Sequence, residues 1–197
     1  MTTLYDIVIS VAIGGIILAM LITFNGNIVQ EGCAQTIKMM AQSNLSAIQD
    51  VIESPLRKMG YRVAIPTDSA IVIADSNKIK FKGDFDNSGS VDTLTYFLSP
   101  TARTGNANTN TRMLYRTLNT QTARFINVGI TRFKLVYFDA NGNPFTTYPV
   151  SRPSQIKSFK IALNIESTVP YILTTEKYIK LNPGVYWERT ISPRNLN

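Results

Sequence analysis

The densest cluster of chemistry-bearing side chains is Asp84-Phe85-Asp86-Asn87-Ser88-Gly89-Ser90-Val91-Asp92. Oxygen side chains fall at positions one, three, five and nine of this run. Ser90 stands at seven and a glycine at six, which matches the first nine positions of a calcium loop. Position twelve is Thr95, where such a loop carries a bidentate Glu. Three carboxylates on so short a segment repel one another unless a cation sits among them. One expectation is therefore Ca2+ held by Asp84, Asp86, Ser88, Ser90 and Asp92, weakly, in the range of about 0.1–1 mM. The competing expectation is a plain Asp/Asn/Ser/Gly hairpin turn without a metal.

Other chemistry is narrowed by composition. The chain has no histidine, the commonest general base and metal ligand. Its single cysteine, Cys33, excludes an intrachain disulfide framework, a Cys-Cys redox pair and a Cys-based zinc site. A Ser-His-Asp arrangement is impossible, and neither a phosphate loop nor paired carboxylates on a recognisable scaffold occur. No enzymatic activity is expected. Cys33 reads as a small apolar residue or a helix–helix contact.

Charge is unevenly spread. Residues 1–60 hold three Lys/Arg (Lys38, Arg57, Lys58) and four acids (Asp6, Glu31, Asp50, Glu53), leaving 17 of the 20 basic and 9 of the 13 acidic residues for the rest. Arg112, Arg116, Arg124, Arg132 and Lys134 fall near Tyr115, Phe125 and Phe133. Basic residues with nearby aromatics can bind single-stranded or duplex DNA, while alternate basic residues on strands also make a solvated outer face. An acidic partner or an anionic membrane surface would suit the same charge.

These residues need elements to hold them. Residues 7–24, IVISVAIGGIILAMLITF, form 18 consecutive uncharged residues. As a helix they rise about 27 Å, close to the hydrocarbon core of a bilayer. No Lys or Arg precedes the run and Asn25-Gly26-Asn27 follows it, so it reads as a retained transmembrane anchor rather than a cleaved signal. A buried core helix is the competing reading. Orientation is poorly set, because the upstream flank carries no basic residue.

Beyond the run, Ile37, Met40, Ala41, Leu45, Ile48, Val51, Ile52, Leu56 and Met59 recur at three- and four-residue steps and predict an amphipathic helix. Pro55 should kink or end it and Gly60 should stop it. From Tyr61 the period changes to two. Ile79 and Phe81 alternate with lysines; Leu94, Tyr96 and Leu98 alternate with Thr93, Thr95 and Phe97. Phe133, Leu135 and Tyr137, then Phe159, Ile161, Leu163 and Ile165, follow the same rule. Such runs suit antiparallel strands with one buried face. Turn signals lie at Asp84–Gly89, Ala140–Pro144, Arg152-Pro153 and Asn182-Pro183-Gly184. Residues 99–111 read as a polar loop, functional or merely flexible. Tyr186 and Trp187 read as core. The expected architecture is α+β: an anchor or filament-core helix over 1–27, an amphipathic helix over 28–60, and an antiparallel β-rich domain over 61–197 whose inner face the helix covers.

This layout resembles the type IV pilin and pseudopilin superfamily. Thr2-Thr3-Leu4-Tyr5-Asp6 is similar to the family's mature start, Phe-Thr-Leu-Ile-Glu, with an acid at the fifth position. Residues 52–61, IESPLRKMGY, resemble the R-D-L-R-x-A-G-Y stretch that ends the helix in PilW-type minor pilins and GspJ-type minor pseudopilins. Ile79-Lys80-Phe81, the Asp84–Gly89 turn and Leu94-Thr95-Tyr96 are similar to that group's first hairpin. Residues 133–139, FKLVYFD, and Pro193-Arg194-Asn195-Leu196 also resemble it. The resemblance implies a filament subunit that waits in the inner membrane and then bundles its helix with those of other subunits. Its partners would be an assembly platform and a motor ATPase, and some members assist DNA uptake. A membrane-anchored binding module for DNA or another acidic polymer is the alternative. Thr2 and Asp6 would be the assembly residues, Asp6 pairing with a neighbour's N-terminal amine. The family also carries a basic leader ending in Gly before an aromatic residue; here Met1 and Thr2 stand at those two places. Either the leader is missing from this sequence, the start codon is misplaced, or the subunit is not processed in the usual way.

Overall fold

A single helix, α1 (Thr2–Arg57), runs for 56 residues, about 84 Å at 1.5 Å per residue. The computed structural model describes residues 2–64, 69–105, 107–126, 128–168, 171–173, 179–181 and 184–196. Among the described residues ten strands follow the helix: β1 (Ile71–Ala74), β2 (Lys78–Gly83), β3 (Asp92–Ala102), β4 (Arg112–Leu118), β5 (Arg124–Ile126), β6 (Ile130–Phe138), β7 (Ser158–Glu166), β8 (Tyr171–Leu173), β9 (Ile179–Leu181) and β10 (Gly184–Ile191). They form a five-stranded meander, β1-β2-β3-β4-β5, a three-stranded sheet, β10-β7-β6, and a two-stranded ribbon, β8-β9. Every pairing is antiparallel, as the period-two runs predict. The chain is thus α+β, with one long N-terminal helix packed on antiparallel sheets.

The helix has two unlike halves. Side chains from Thr3 to Val29 are all exposed. Ala41, Leu45, Ile48, Ile52 and Leu56, with Met59 just past the helix end, are buried and join both large sheets in one core. Their steps of four, three, four, four and three keep them on one face of a 3.6-residue helix. Burying each of the four leucines and isoleucines contributes about 1.5–3 kcal/mol. Met40 and Val51 depart from the predicted stripe, since both are exposed. Each is apolar but turned about 100° from its buried neighbour, Ala41 or Ile52, one residue on.

Pro55 lies inside the last turns of α1. It has no N–H to give the carbonyl of Val51, four residues earlier. The phenol of Tyr96, wholly buried on β3, donates to that carbonyl at 2.8 Å. Hence the proline neither ends nor strands the helix; a sheet residue replaces the missing donor. Past the helix, Gly60 adopts a φ of +78°, and a Cβ there would come within 2.5 Å of the Asn195 carbonyl oxygen. Only glycine permits both that backbone and that approach.

The two sheets are tied at one edge: Leu135 N–H donates to the Ser76 carbonyl (2.8 Å), and Val150 N–H to that of Ala74 (2.8 Å). On β10, Val185, Trp187 and Ile191 pack inward. Tyr186 is 52% exposed, against expectation. Adjacent strand residues point to opposite faces, so Tyr186 and Trp187 could not both be core. The segment 99–111 also differs from a free loop. Residues 99–102 extend β3. Beyond them buried Asn108 donates from Nδ2 to Glu166 (3.1 Å) and to the Ser167 carbonyl (2.9 Å). Cys33 is exposed on α1. Of the expected Asn182-Pro183-Gly184 turn, the first two residues lie outside the described residues.

Two outcomes follow for Tyr96. Tyr96→Phe takes the donor away from the Val51 carbonyl and lowers stability by about 0.5–1.5 kcal/mol, read from the urea midpoint. Burial pushes the Tyr96 phenol up to about 12, with Arg116 opposing the shift, and burial also raises Tyr137 well above the usual value. A phenol whose pKa is raised by folding stabilises fully below its unfolded value, about 10, and that stability is lost as pH climbs through the folded value. Urea midpoints should therefore fall from about pH 10 to 12, and Tyr96→Phe should flatten the fall.

Candidate functional site

The exposed half of α1 is apolar enough and long enough to cross a membrane, with its most apolar 18-residue window wholly unburied. Two of its hydroxyls are satisfied within the helix. Ser10 donates to the Asp6 carbonyl (2.7 Å) and Thr23 to that of Ala19 (2.9 Å), so neither needs water. Asp6 is exposed on the same stretch, and the side chain of Thr2 lies outside the described residues. A carboxylate in such a run is costly in hydrocarbon unless it reaches the headgroups or a partner.

The second site is the connection between β2 and β3. Carboxylate oxygens of Asp84, Asp86 and Asp92 lie within 4.8 Å of one another. Asp84 ends up wholly buried because it follows Gly83, where a Cβ would stand 2.8 Å from the Lys58 carbonyl oxygen. Its N–H donates to the Tyr61 carbonyl at 3.1 Å. Asp84 Oδ2 accepts from the Gly89 N–H (3.0 Å) and faces Arg62 Nη1 at 3.3 Å. Asp92 Oδ1 accepts from Asn119 Nδ2 (2.8 Å), and Asn119 Oδ1 accepts from the Thr93 N–H (2.7 Å). Asp86, at the open rim, accepts from the Ser88 N–H (2.9 Å). That bond, chiefly, holds its carboxyl below the usual range. Lys58 Nζ donates to the Phe85 carbonyl (3.1 Å) and lies 3.4 Å from Asn87 Oδ1. Ser90 N–H donates to Ser88 Oγ at 3.3 Å. The loop therefore gathers the three predicted aspartates, with both serines in the turn between them.

Arg62, Lys58 and Asn119 were not legible as members of this site. They are distant in sequence from the loop; Arg62 and Asn119 both adopt a left-handed φ, of +62° and +51°, and only Asn119 is of a type that favours it.

The five cations singled out for nucleic acid divide between two faces. Arg116 and Arg124 stand in register with buried Tyr96, so they lie on the core-bearing face of the first sheet, and Arg112 shares it by alternation. Arg132 and Lys134 are exposed on the outer face of the second sheet, opposite Asn164 and Ala162. A feature without a sequence signal is the ring ladder on the other face of the first sheet. Phe97 stacks on Tyr115 at 4.8 Å, and Tyr115 meets exposed Phe125 edge-on at 6.4 Å.

No protein-family model matches this chain, and no curated protein matches it.

Asn119→Ala removes two hydrogen bonds and places a Cβ residue without a local acceptor at positive φ. A loss of about 1–3 kcal/mol is expected. Asn119→Gly, which keeps the backbone relaxed, should lose less, and comparing their urea midpoints separates the two terms.

Proposed function

We propose that this chain is a membrane-anchored structural subunit, a minor pilin or pseudopilin, of a type IV pilus or type II secretion-like filament. The observation that carries the reading is the division of α1. Its second half is consumed by the chain's own core, and its first half is covered by nothing among the described residues. Each large apolar side chain left in water forgoes about 1.5–3 kcal/mol, so the exposed stretch calls for lipid or other helices. The resemblance of the N-terminal residues, of residues 52–61 and of the first hairpin to PilW-type and GspJ-type proteins supplies both in turn: bilayer before assembly, sister helices afterwards. In this reading apolar helix packing gives cohesion, and Asp6 sets axial register by pairing with a neighbour's amine. The β domain stays outside the helical bundle. A motor ATPase and an inner-membrane platform would drive assembly.

The chain should fractionate with membranes, and crosslinking through α1 should join it to other filament subunits. Asp6→Ala should lower its content in sheared filaments severalfold while leaving the melting of the β domain unchanged. Normal incorporation of Asp6→Ala would remove the register role. A freely soluble monomer in cells would overturn the whole reading. Membrane retention without any crosslink to a subunit would indicate an anchored binding module instead.

A further inference from the structure

We propose that the β2–β3 loop is a calcium site formed by Asp84, Asp86 and Asp92, and that the ion locks the loop to the exit of α1. The acidic residues alone would not carry this, since exposed carboxylates often cluster without a metal. Two orphaned oxygens do. Asp84 is 0% exposed and its Oδ1 accepts no hydrogen bond; Asp92 is 8% exposed and its Oδ2 accepts none.

Each of these carboxylates is oriented by its other oxygen. Gly89 and Arg62 hold Asp84 Oδ2, and Asn119 holds Asp92 Oδ1. The free oxygens are thus fixed groups facing an unmet demand, and a buried carboxylate oxygen without a partner is costly. The neighbouring cations do not meet it. Arg62 is already on Asp84 Oδ2, and Lys58 is on the loop's own carbonyl and the Asn87 amide. Three carboxylates against these two cations leave a net charge of about −1 for a divalent ion to meet.

The donor set selects the metal class. It is all oxygen, rich in carboxylate and free of nitrogen and sulfur, which suits a hard cation. Two ligands on opposite sides of calcium lie about 4.6–5.2 Å apart, from bond lengths of 2.3–2.6 Å, and one carboxylate oxygen from each of the three aspartates lies within 4.8 Å of the others. Magnesium, at about 2.0–2.1 Å, demands a tighter octahedron and keeps its waters. Without the bidentate acid at Thr95, the affinity should be that of an extracellular module, about 0.1–1 mM. Bound calcium would join three places: the chain leaving α1, through Tyr61 and Arg62; the loop; and the end of β4, through Asn119.

The test uses the full chain in detergent, freed of metal with a chelator and followed by circular dichroism and Trp187 fluorescence. Calcium at about 10 mM should raise Tm by about 3–10 °C, with half of that rise reached near 1–2 mM, because the shift grows as the logarithm of calcium above a Kd of about 0.1–1 mM. Magnesium at the same concentration should do much less. Asp86→Asn, at the exposed rim, should fold with the chelated wild-type Tm and need at least about tenfold more calcium for half the shift. Asp84→Asn combined with Asp92→Asn should abolish the shift. A wild-type Tm unmoved by calcium overturns the proposal. So does a shift of equal size and midpoint in Asp86→Asn, which would place the ion elsewhere on the chain.

Discussion

Everything else in this structure depends on one seam, the stripe of α1 running through Ile48, Ile52 and Leu56 to Met59. Each large sheet turns one apolar face into the core. Ile79, Phe81, Leu94 and Tyr96 form it on the meander, and Leu135, Phe159, Ile161 and Leu163 on the three-stranded sheet. Neither sheet closes on itself, and an uncovered face of that size would not persist in water. The helix is the common cover. It joins the two sheets, which otherwise meet along one edge, into one core and spends only its second half in doing so.

Where a property depends on period alone, it was legible in the residues. The change from three- and four-residue steps to steps of two near Tyr61 marks the passage from helix to sheet, and the buried faces of β2, β3, β6 and β7 are those the alternation names. The same logic, applied strictly, would have separated Tyr186 from Trp187. Met40 and Val51 show the limit for helices: an apolar residue about 100° off the stripe looks like a member until the packing is known. Pro55 shows another. Its effect on the helix depends on whether a distant donor can reach Val51, and Tyr96 lies 45 positions away in sequence. Local rules name the gap but not what fills it.

The loop at Asp84–Asp92 divides in the same way. Its ligand types and spacing stand in the residues as written, because a turn brings near neighbours together whatever the rest of the chain does. What distinguishes it from an ordinary polar turn is burial and orientation. Gly83 brings the loop against the helix exit, Arg62 takes one oxygen of Asp84, and Asn119 takes one of Asp92. Those contacts link residues 22 to 27 apart, and no local pattern announces them. The cations illustrate the reverse case. Five basic residues close in sequence are placed on two faces, because strand alternation and the break between β5 and β6 decide which way each one points.

Contacts from both sheets, the acidic loop and the C-terminal segment converge on the end of α1. Within about ten residues, Glu53 pairs with Arg57 (2.6 Å) and with Arg189 on β10 (2.9 Å), Tyr96 takes the Val51 carbonyl, Lys58 reaches the acidic loop, Gly60 lies under Asn195, and Arg62 faces Asp84. Surface ion pairs such as Glu53–Arg189 contribute little energy by themselves, but they fix direction. An apolar stripe alone would let a helix roll or slide by a turn at small cost. Polar contacts to the meander, the three-stranded sheet, the acidic loop and the C-terminal segment remove that freedom. The domain is consequently held in one pose at one end of a rod of about 84 Å, whose other end is covered by none of the described residues. A chain built only to anchor a sheet to a membrane would need no such clamp, because a flexible tether would serve. A chain whose helix must pack in register with others while its domain keeps a set position would need both the rigid joint and the bare rod.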